Sequence, residues 1–478
     1  MRRALIFSTV ATVAALGPAR AQMPVEKPPA PGPLRPYSVP AVQTFTLPNG
    51  VRVALIEKHT LPIITARIRL DAGSVRESAD KAGVAVLTAN LLSEGAAGMT
   101  GGQIADTMAA LGAQYSTTGS YGSAAANVTS LPTVFGDALS LAAKTVMNPS
   151  FTESDFSRLR SSAIAAYERS QSTAEGVAGK IFNWALFEPS TSYSRPSAGT
   201  KASLSALTRD EVMKWHATMF FPKNTTVMIV GDITPAAARE AVDRALGSWN
   251  VPGSTLPSLG NRARPVSANR IILVDRPGSV QSGVVIGQAS DGWESPDVIP
   301  LQAAAQVLGG GFGSRMNMNL REKHGWTYGA FASFGPLQQT GTFSFNSSIR
   351  TNATDSAIAE AVREFRRLAS EPVMSAELSD QLANVIASFP NSVQTVQGLM
   401  NNLATIVTYG LPVDYYATYR ERLAAVKPED ITRVGSSKLK PNALTIVAVG
   451  DLKTIEAPIR ALNLGTVEVW DSEGNKLR

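Results

Sequence analysis

The sequence lacks cysteine altogether and has only three histidines in 478 residues. The absence of cysteine excludes disulfides, thiolate nucleophiles and cysteine-ligated zinc sites, and a chain of this length can bury a sufficient core without disulfides. The histidines are His59, His216 and His324, which are too far apart in sequence to form a local pair of metal ligands. We therefore interpret them as a loop residue, a helix residue and a cation near a helix end, respectively.

A strong charge of one sign is also missing. The formal net charge is +6, and three of the positive residues, Arg2, Arg3 and Arg20, lie within the first 21 residues. The rest of the chain therefore carries a net charge of only +3. So small a charge on so long a chain does not indicate a nucleic-acid-binding surface.

Long apolar runs do not occur after the first 21 residues. Residues 1–21 begin with two arginines, continue with the apolar run Ala4–Gly17 and end with the small-x-small sequence Ala19–Ala21. This order is typical of a cleaved signal peptide. No later run approaches the length of a membrane-spanning helix. We therefore expect an exported, soluble protein of the periplasm.

The segment that follows, residues 22–41, is rich in proline and poor in large apolar residues. Such a composition is typical of a flexible or polyproline-like leader. We expect this leader to precede the first folded domain and to tether nothing essential.

A duplicated segment divides the rest of the chain. Residues 222–232 (Pro-Lys-Asn-Thr-Thr-Val-Met-Ile-Val-Gly-Asp) parallel residues 441–451 (Pro-Asn-Ala-Leu-Thr-Ile-Val-Ala-Val-Gly-Asp), and the two copies are 219 residues apart. A period this long indicates duplicated domains rather than a solenoid. Between the copies, residues 250–269 are rich in proline and glycine and show little periodicity, as expected of an interdomain linker.

The domain prediction that results is a first domain at residues 42–249, a second domain at residues 270–463 and a tail at residues 464–478. Each domain mixes a run of strands with long helices and lacks the regular alternation of a βαβ fold. We therefore predict the α+β class, with two homologous domains that enclose a cleft. Each domain should be a mainly antiparallel sheet with helices packed on one face.

The most distinctive segment runs from Leu308 to Phe331. It begins with a glycine-rich turn, Gly309–Gly313, which leads to Ser314, a suitable N-cap for a helix. Gly325 is placed to end that helix, and the chain then takes on the pattern of a strand.

Arg321 and Tyr328 are the two residues of this segment whose side chains could take part in a reaction. Arg321 lies one turn before the predicted helix end and Tyr328 lies on the predicted strand, so a cation and a phenol can converge on one point. This arrangement is suited to binding an oxyanion. On these two residues alone, an ordinary surface arginine and a strand tyrosine are an equally good interpretation.

A glycine-rich loop before a helix can also bind phosphate. Here Ser314 stands where the dinucleotide fingerprint has its third glycine, and no Gly-Lys-Ser/Thr sequence of a P-loop occurs. Gly309, Gly310 and Gly311 are instead candidates for a flexible, substrate-contacting lip of the cleft, or for a simple helix cap.

The duplicated halves and the sequence Arg321–Tyr328 (Arg-Glu-Lys-His-Gly-Trp-Thr-Tyr) together resemble the pitrilysin-type zinc metallopeptidases, which include mitochondrial processing peptidase. The similarity covers roughly residues 42–463, and its most specific part is the Arg-Glu-Lys-x-Gly-x-x-Tyr pattern. The resemblance implies that Arg321 and Tyr328 hold the substrate carbonyl as it becomes tetrahedral at a zinc site in another domain.

The zinc motif of that family is missing here. Family members carry His-x-x-Glu-His on a helix, where the two histidines share one metal and the glutamate activates water. The corresponding helix has Val86 and Asn90 at the ligand positions and Ala89 at the position of the base. The family's third ligand, a glutamate, corresponds by spacing to Ala166, and Glu168 would face another side of its helix.

The resemblance therefore implies a degenerate subunit. We expect this chain to bind no zinc itself and to pair with a homologous zinc-binding subunit. It would present Arg321 and Tyr328 to the partner's site while extended peptides are hydrolysed. Alone it would be inactive, because no residue generates a nucleophile. The alternative is a non-catalytic peptide-binding or assembly scaffold, like the subunits of the respiratory cytochrome bc1 complex that share the family's fold.

Overall fold

Two six-stranded β-sheets form the centre of the protein. The computed structural model describes residues 36–260 and 262–478, and Tyr37–Arg478 form one compact unit. The predicted signal peptide, residues 1–21, and residues 22–35 of the predicted leader lie outside the described residues.

The strands of the described chain are short, as is usual in mixed folds. In chain order they are Gln43–Thr46 (β1), Arg52–Glu57 (β2), Ile64–Leu70 (β3), Gly95–Ala96 (β4), Met99–Thr100 (β5), Gln114–Gly119 (β6), Ala124–Ser130 (β7), Thr225–Gly231 (β8), Arg270–Asp275 (β9), Gln281–Ser290 (β10), Phe331–Pro336 (β11), Gly341–Arg350 (β12), Thr445–Gly450 (β13) and Thr466–Trp470 (β14).

The helices of the described chain lie mostly outside the sheets, and none of them is long and apolar enough to cross a bilayer. They are Val84–Leu91 (α1), Gly101–Ala110 (α2), Phe135–Met147 (α3), Glu153–Ser170 (α4), Ala174–Leu186 (α5), Lys201–Ala206 (α6), Arg209–Met219 (α7), Pro235–Leu246 (α8), Val298–Gly309 (α9), Thr354–Ser370 (α10), Ser375–Ser388 (α11), Asn391–Gln394 (α12), Val396–Tyr409 (α13), Tyr419–Ala424 (α14), Pro428–Lys438 (α15) and Leu452–Ala461 (α16), with a π-helix at Asn317–Lys323.

Five strands of each sheet repeat one topology, and the sixth, β1 or β14, differs in direction and in its place along the chain. The strand order is β1-β2-β8-β3-β7-β6 in the first sheet and β14-β9-β13-β10-β12-β11 in the second. The pairs β2–β8 and β9–β13 are parallel at corresponding places, β14 runs parallel to β9, and the other neighbours are antiparallel. The predicted α+β class with mainly antiparallel sheets is confirmed. The duplication is visible in β8 and β13, which end at Gly231 and Gly450.

Each strand contributes to two faces, because successive side chains point to opposite sides of a sheet. In β3, the even-numbered residues from Ile64 to Leu70 are buried in a core formed with α1, α3, α7 and α8. The odd-numbered residues from Thr65 to Arg69 lie on the opposite face. In the second half, α9, α10, α15 and α16 form the equivalent core. Each sheet therefore has helices of its own half on one face, as predicted.

The opposite face of each sheet is partly covered by a helix from the other half. Helix α5 packs Val177 and Ile181 against β9, β10 and β13 of the second sheet. Helix α13 packs Leu399 and Leu403 against β2 and β8 of the first sheet. This reciprocal exchange joins the halves through apolar burial, and the sequence pattern did not reveal it.

The ends of the two halves differ from the sequence prediction. Residues 464–478, which we predicted as a tail, contain β14, and β14 pairs with β9. The predicted linker, residues 250–269, has no helix or strand among its described residues.

At the end of the predicted leader, the Tyr37 ring lies 5.3 Å from that of Phe389, and its hydroxyl donates to Glu421. The last leader residues therefore pack against the second half, which their composition did not indicate.

Candidate functional site

Arg321 lies on the π-helix Asn317–Lys323, between α9 and β11. A helix was predicted here from Ser314 to Gly325, and the structure contains one in a π form rather than the ordinary α form. The start of the π-helix has no side-chain cap bond, and the Ser314 hydroxyl donates to the carbonyl oxygen of Gly311 (2.5 Å). Gly325 adopts a φ of 62° just after the helix, as its predicted role at the helix end requires. Short π-helical segments occur frequently at functional sites.

Asn317 fixes the chain on both sides of the π-helix. Its side chain is fully buried, and its amide nitrogen donates to the carbonyl oxygens of Gly311 (3.0 Å) and Ala330 (2.7 Å). Its amide oxygen accepts a hydrogen bond from the Ala330 main-chain N–H (3.0 Å). The sequence analysis assigned Asn317 no functional role. The sequence held one signal of this role, which is that the Asn317 amide lies beside the apolar residues Met316 and Leu320 on the predicted helix. An amide buried there needs hydrogen-bond partners.

A second buried amide attaches the π-helix to α10. The Asn319 nitrogen donates to the carboxylates of Glu360 and Glu364, at 2.8 Å in each case. Glu364 is itself buried and forms an ion pair with Arg367 (3.0 Å). The main chain that carries Arg321 is thus held by polar contacts that cannot exchange readily with water.

The guanidinium of Arg321 projects from this fixed backbone and remains partly exposed. Its Cζ lies 4.6 Å from the centre of the Phe312 ring in the glycine-rich turn, and its Nε lies 3.5 Å from the Glu322 carboxylate. The cation–π contact restricts the orientation of the guanidinium. Apart from this contact with Glu322, the N–H groups of Arg321 form no side-chain hydrogen bond with the described residues.

Tyr328 lies in a bend three residues before β11, and not on the strand where we predicted it. The Ser347 hydroxyl on β12 lies within hydrogen-bond distance of Thr327 Oγ1 (2.9 Å) and of the Gly329 carbonyl oxygen (2.7 Å). Around Tyr328, these side-chain contacts hold the chain in place of main-chain hydrogen bonds to β12. The Tyr328 side chain is 89% exposed between two fixed neighbours, which is a favourable arrangement for contacting a ligand.

A turn at His324 separates Arg321 from Tyr328. The N–H of Gly325 donates to the carbonyl oxygen of Arg321 (2.9 Å), and the rings of His324 and Trp326 stack with centres 4.0 Å apart. Arg321 and Tyr328 therefore lie on either side of this turn, and Tyr328 but not Arg321 is among the residues that line the cleft described below. No hydrogen bond joins their side chains in the described part of the chain, so both remain available to a third group.

The three candidate substrate-contacting glycines occupy different environments. Gly309 is buried at the end of α9, where an added Cβ would lie 2.2 Å from the main-chain nitrogen of Ala332. Its small size therefore serves the close contact between α9 and β11. Gly310 is exposed, and Gly311 has open space beside it. Of the three, Gly310 and Gly311 have surface that is open to solvent, and Gly309 is buried.

Tyr328 also borders a cleft of about 700 Å³ between the two halves. Helix α5 forms one wall, and strands β10 and β12 form much of the other. The β12 side of the cleft is polar but uncharged, with Thr342, Ser344, Asn346, Ser347 and Ser348. Such side chains can bond to the main chain of an extended peptide without selecting its charge.

Helix α1 corresponds to the helix of the zinc motif. Val86 and Asn90 are one turn apart on it, and Ala89 is fully buried. The end of β6 lies directly against this part of α1, since a Cβ on Gly119 would come within 2.7 Å of the Val86 Cα and 3.1 Å of the Ala89 Cβ. Valine and alanine suit this close packing, and neither they nor the asparagine amide are effective zinc ligands.

The position of the third family ligand is equally unsuited. Ala166 is exposed on α4, and Glu168 forms an ion pair with Lys201 (2.6 Å). Among the described residues, no group of three His, Asp or Glu side chains is placed to hold a metal ion.

The histidines have local partners. His59 Nδ1 lies 2.6 Å from Asp232, a contact that raises the pKa of His59. His216 Nε2 lies 2.8 Å from the Val146 carbonyl oxygen, and burial lowers the pKa of His216. His324 stacks on Trp326.

A buried carboxyl holds the beginning of α1. The two oxygens of Glu77 accept hydrogen bonds from the main-chain N–H groups of Gly83 (2.9 Å) and Ala85 (3.2 Å). Burial raises the pKa of Glu77 to about 8, although these two N–H groups and Arg195 act in the opposite direction. Hydrogen bonds to Glu77 therefore hold the start of α1, although α1 has no zinc ligands to position.

The chain belongs to the M16 peptidase family, the pitrilysin-type family that its sequence resembles. Residues 52–191 match the family described as Insulinase (Peptidase family M16), and residues 206–385 match the Peptidase M16 inactive domain. The inactive-domain match covers the second half of the chain, and α1 of the first half carries no His or Glu at the positions of the family's zinc motif.

Relatives of this chain carry both kinds of description. The zinc protease PqqE of Helicobacter pylori is 21% identical over 417 residues, which cover 86% of this chain and 93% of the relative. The non-peptidase homolog YmxG of the same organism is 20% identical over 417 residues, covering 85% and 93%. The crystal structure of a peptidase M16 inactive domain from Pseudomonas fluorescens aligns with a TM-score of 0.80 at 25% identity, covering 86% of this chain and 98% of that one.

Proposed function

We propose that this chain is the subunit without zinc in a heterodimeric zinc peptidase of the periplasm. It supplies Arg321 and Tyr328 to a zinc site located in a homologous partner subunit. There the two side chains bind the carbonyl oxygen of the scissile peptide bond and stabilise the oxyanion that forms during hydrolysis. The periplasmic location is inferred from the signal-peptide pattern of residues 1–21.

One observation supports this proposal above all. Arg321 and Tyr328 are a fixed pair of hydrogen-bond donors, and the described chain has no group beside them that would generate a nucleophile. Arg321 and Tyr328 extend from a backbone held by Asn317, Asn319 and Ser347, and this fixation reduces the reorganisation that catalysis would otherwise require. A scaffold has no need for such a pair.

The chemistry of this chain is confined to hydrogen-bond donation. The guanidinium of Arg321 and the hydroxyl of Tyr328 each donate to the carbonyl oxygen as negative charge develops on it. The partner's zinc would supply the activated water, since a bound zinc ion lowers the pKa of water to near neutrality. Neither subunit would be competent alone.

Exposed apolar side chains around the pair support association with a partner. Phe312, Met318, Tyr328 and Phe331 are all large hydrophobic residues that remain exposed, and all lie within residues 308–331. Such a concentration of exposed apolar groups in one segment is typical of an interaction surface. The two Helicobacter pylori relatives, one described as a zinc protease and one as a non-peptidase homolog, are consistent with pairing of the two kinds of chain.

The substrate class that fits the cleft is an extended peptide. Within the described chain, strand β11 is at the edge of the second sheet and pairs with β12 alone, which leaves its outer edge for addition of a strand. Tyr328 lies three residues before β11. A peptide bound there would gain affinity from main-chain hydrogen bonds and would show modest sequence selectivity.

The test is mutagenesis in a reconstituted pair. This chain would be co-expressed with an M16 chain of the same genome that has an intact His-x-x-Glu-His motif, and peptide hydrolysis by the purified complex would be measured. Arg321→Ala and Tyr328→Phe should each lower kcat by about 100-fold without preventing assembly. Arg244→Ala on α8, which removes a surface arginine of the first half, should leave kcat unchanged.

Normal turnover in both site variants would refute the proposed role of the pair. A complex that assembles but hydrolyses no peptide would favour the alternative function, a non-catalytic peptide-binding or assembly scaffold.

A further inference from the structure

Three arginines lie on the inner face of the first sheet, the face that is turned away from α1 and α3. They are Arg52 on β2 and Arg67 and Arg69 on β3, and we call them the arginine cluster. In the strand register, Arg52 is opposite Thr226 of β8, and Thr226 is opposite Arg69. Since neighbouring strands are about 4.8 Å apart, Arg52 and Arg69 are separated by about 10 Å at the backbone, and Arg67 lies two residues from Arg69.

Each arginine of the cluster has a neutral partner. Arg52 Nε donates to the Thr226 hydroxyl (3.2 Å), and Arg67 Nε donates to the Asn127 side-chain oxygen (2.7 Å). The third, Arg69, donates through Nη2 to a main-chain carbonyl oxygen at residue 122 (3.1 Å). No ion pair joins any of the three to a carboxylate in the part of the chain that the structure describes.

Asp71 is an acidic residue close to the cluster. It attracts Arg69 from a distance, but its Oδ2 is paired with Arg76 (2.5 Å). Helix α13, which covers the neighbouring part of this face, contains no charged residue. The inner-face positions of β6 and β7 beside the cluster carry only small or uncharged polar side chains, which are Gln114, Ser116, Thr118, Ala125, Asn127 and Thr129.

The second half of the molecule shows how a comparable arginine is neutralised. Arg270 on β9 is opposite Thr445 of β13, just as Arg52 is opposite Thr226 of β8. Arg270 donates to both carboxylate oxygens of Glu468, at 3.1 and 3.0 Å. The first sheet has no counterpart of this carboxylate, because its edge strand β1 has the sequence Gln-Thr-Phe-Thr.

Arg69 is the most deeply placed member of the cluster. It is only 5% exposed, and its Nε has no hydrogen-bond partner in the described chain. Burial lowers the pKa of both Arg67 and Arg69, and each of the other two arginines lowers that of Arg69 further. Three like charges held together in this way favour an anion as an additional partner, since arginine binds carboxylates through paired hydrogen bonds.

We propose that the arginine cluster binds a carboxylate group of a peptide, either an acidic side chain or the C-terminal carboxylate. The neighbouring polar residues of β6 and β7 would contact the rest of the peptide along the sheet. The identification of the ligand as a peptide rests on the proposed function. The preference for a carboxylate rests only on the cluster itself.

The experiment measures binding of fluorescent peptides to the mature chain without any partner, by fluorescence anisotropy at low salt. Four short peptides share one neutral sequence: one has acidic side chains and an amidated end, one has a free C-terminal carboxylate, one is neutral with an amidated end and one is basic with an amidated end. We expect at least one carboxylate-bearing peptide to bind roughly fivefold to tenfold more tightly than the neutral amidated peptide. The peptide that shows this preference identifies which carboxylate is recognised.

The double variant Arg52→Gln with Arg67→Gln should abolish the preference and leave the affinity for the neutral peptide unchanged. Its matched control is Arg239→Gln with Arg244→Gln, which removes two charges from α8 of the same half and should preserve the preference. Arg69 is left intact because it is buried. If the double variant does not fold, as judged by circular dichroism, Arg52→Gln alone should still weaken the preference, since Arg52 is exposed.

Equal binding of all four peptides would overturn the proposal. A preference for carboxylates that survives in the double variant would also overturn it. Failure of the proposed function is distinguishable, because this binding needs no zinc subunit. In a reconstituted pair, the double variant should raise KM for carboxylate-bearing peptides while leaving kcat for neutral peptides unchanged, whereas Arg321→Ala should lower kcat for all of them.

Discussion

Tyr328 is exposed and Arg321 partly exposed, on a backbone that is held by buried contacts. The residues that hold it, Asn317, Asn319 and Ser347, contact the main chain or α10. The Arg-Glu-Lys-x-Gly-x-x-Tyr pattern identified Arg321 and Tyr328 as candidates. The supporting residues could not be predicted, because their role depends on long-range partners such as Ala330 and Glu364.

Phe312 should act as a positioning residue for Arg321. Replacing it with alanine removes the ring that lies 4.6 Å from the guanidinium, so kcat of the reconstituted pair should fall by roughly threefold to tenfold. Phe312→Tyr keeps the ring and should restore the rate. Because Phe312 is 67% exposed, thermal unfolding should show the same midpoint for both variants. An equal loss of rate in the alanine and tyrosine variants would argue against this role.

Asn317 should contribute to stability as well as to the site. Asn317→Ala leaves the buried N–H and carbonyl groups of Ala330 without their partner and should lower the free energy of unfolding by about 2 kcal/mol. Urea unfolding measures this change. Asn401→Ala, at an exposed position on α13, is the control and should change it by less than about 0.5 kcal/mol. A similar, small effect of both substitutions would show that Asn317 does not hold these segments.

Among the elements, α1 shows most clearly what the family fold keeps when the residues of the zinc motif are replaced. The sequence analysis placed Val86, Ala89 and Asn90 on one helix, and the structure has that helix at Val84–Leu91. Its apolar spacing made the helix predictable. The contact with Gly119 of β6 was not predictable, because periodicity gives the face of a helix and not its neighbour.

The π-helix and the segment after it were the elements that sequence reasoning described least well. A π-helix has no distinct local pattern, and the sequence from Asn317 to Lys323 is compatible with an ordinary α-helix. We predicted Tyr328 on a strand because the chain after Gly325 takes on the pattern of a strand, whereas hydrogen bonds to Ser347 hold the chain in a bend there.

Glu77 should make the stability of the chain depend on pH through α1. Because the pKa of Glu77 is raised from 4.5 to about 8, the folded chain binds this proton more tightly than the unfolded chain does. The resulting stabilisation is present below pH 4.5 and is lost as the pH rises towards about 8. The thermal midpoint should therefore fall between pH 5 and pH 8.

The Glu77→Gln variant has no proton to lose at this position. It should be less stable than the wild type at pH 5, because one hydrogen bond to the helix start is lost, but the fall in midpoint towards pH 8 should be smaller. Glu240→Gln, at an exposed position on α8, should keep the wild-type slope. Identical slopes in wild type and Glu77→Gln would contradict the raised pKa.

At the scale of the whole molecule, the exchange of α5 and α13 makes the two halves interdependent. The repeat that ends at Gly231 and Gly450 allowed the duplication to be predicted from sequence. The exchange could not be predicted, because an amphipathic helix shows that it has an apolar face but not which sheet covers that face. The residue pattern of α5 is the same whether it packs on its own half or on the other.

Unfolding should therefore be a single cooperative transition. Removal of the second half exposes the apolar face of α5 and uncovers β2 and β8, so a fragment that ends at residue 249 should be largely unfolded or aggregated. Val177→Asp on α5 should lower the thermal midpoint of the whole chain rather than create a second transition. Two separated transitions in calorimetry, or a stably folded fragment, would show that the halves are independent.

The most direct test of the division of roles between two chains is a titration. Purified mature chain would be added to a fixed amount of a purified M16 partner with an intact zinc motif, and peptide hydrolysis and zinc content would be measured together. Hydrolysis should rise and level off at one chain per partner, with zinc stoichiometric to the partner alone. If the chain by itself contains stoichiometric zinc and hydrolyses peptides, or if its addition leaves the partner's rate unchanged, it does not complete a zinc site in another subunit.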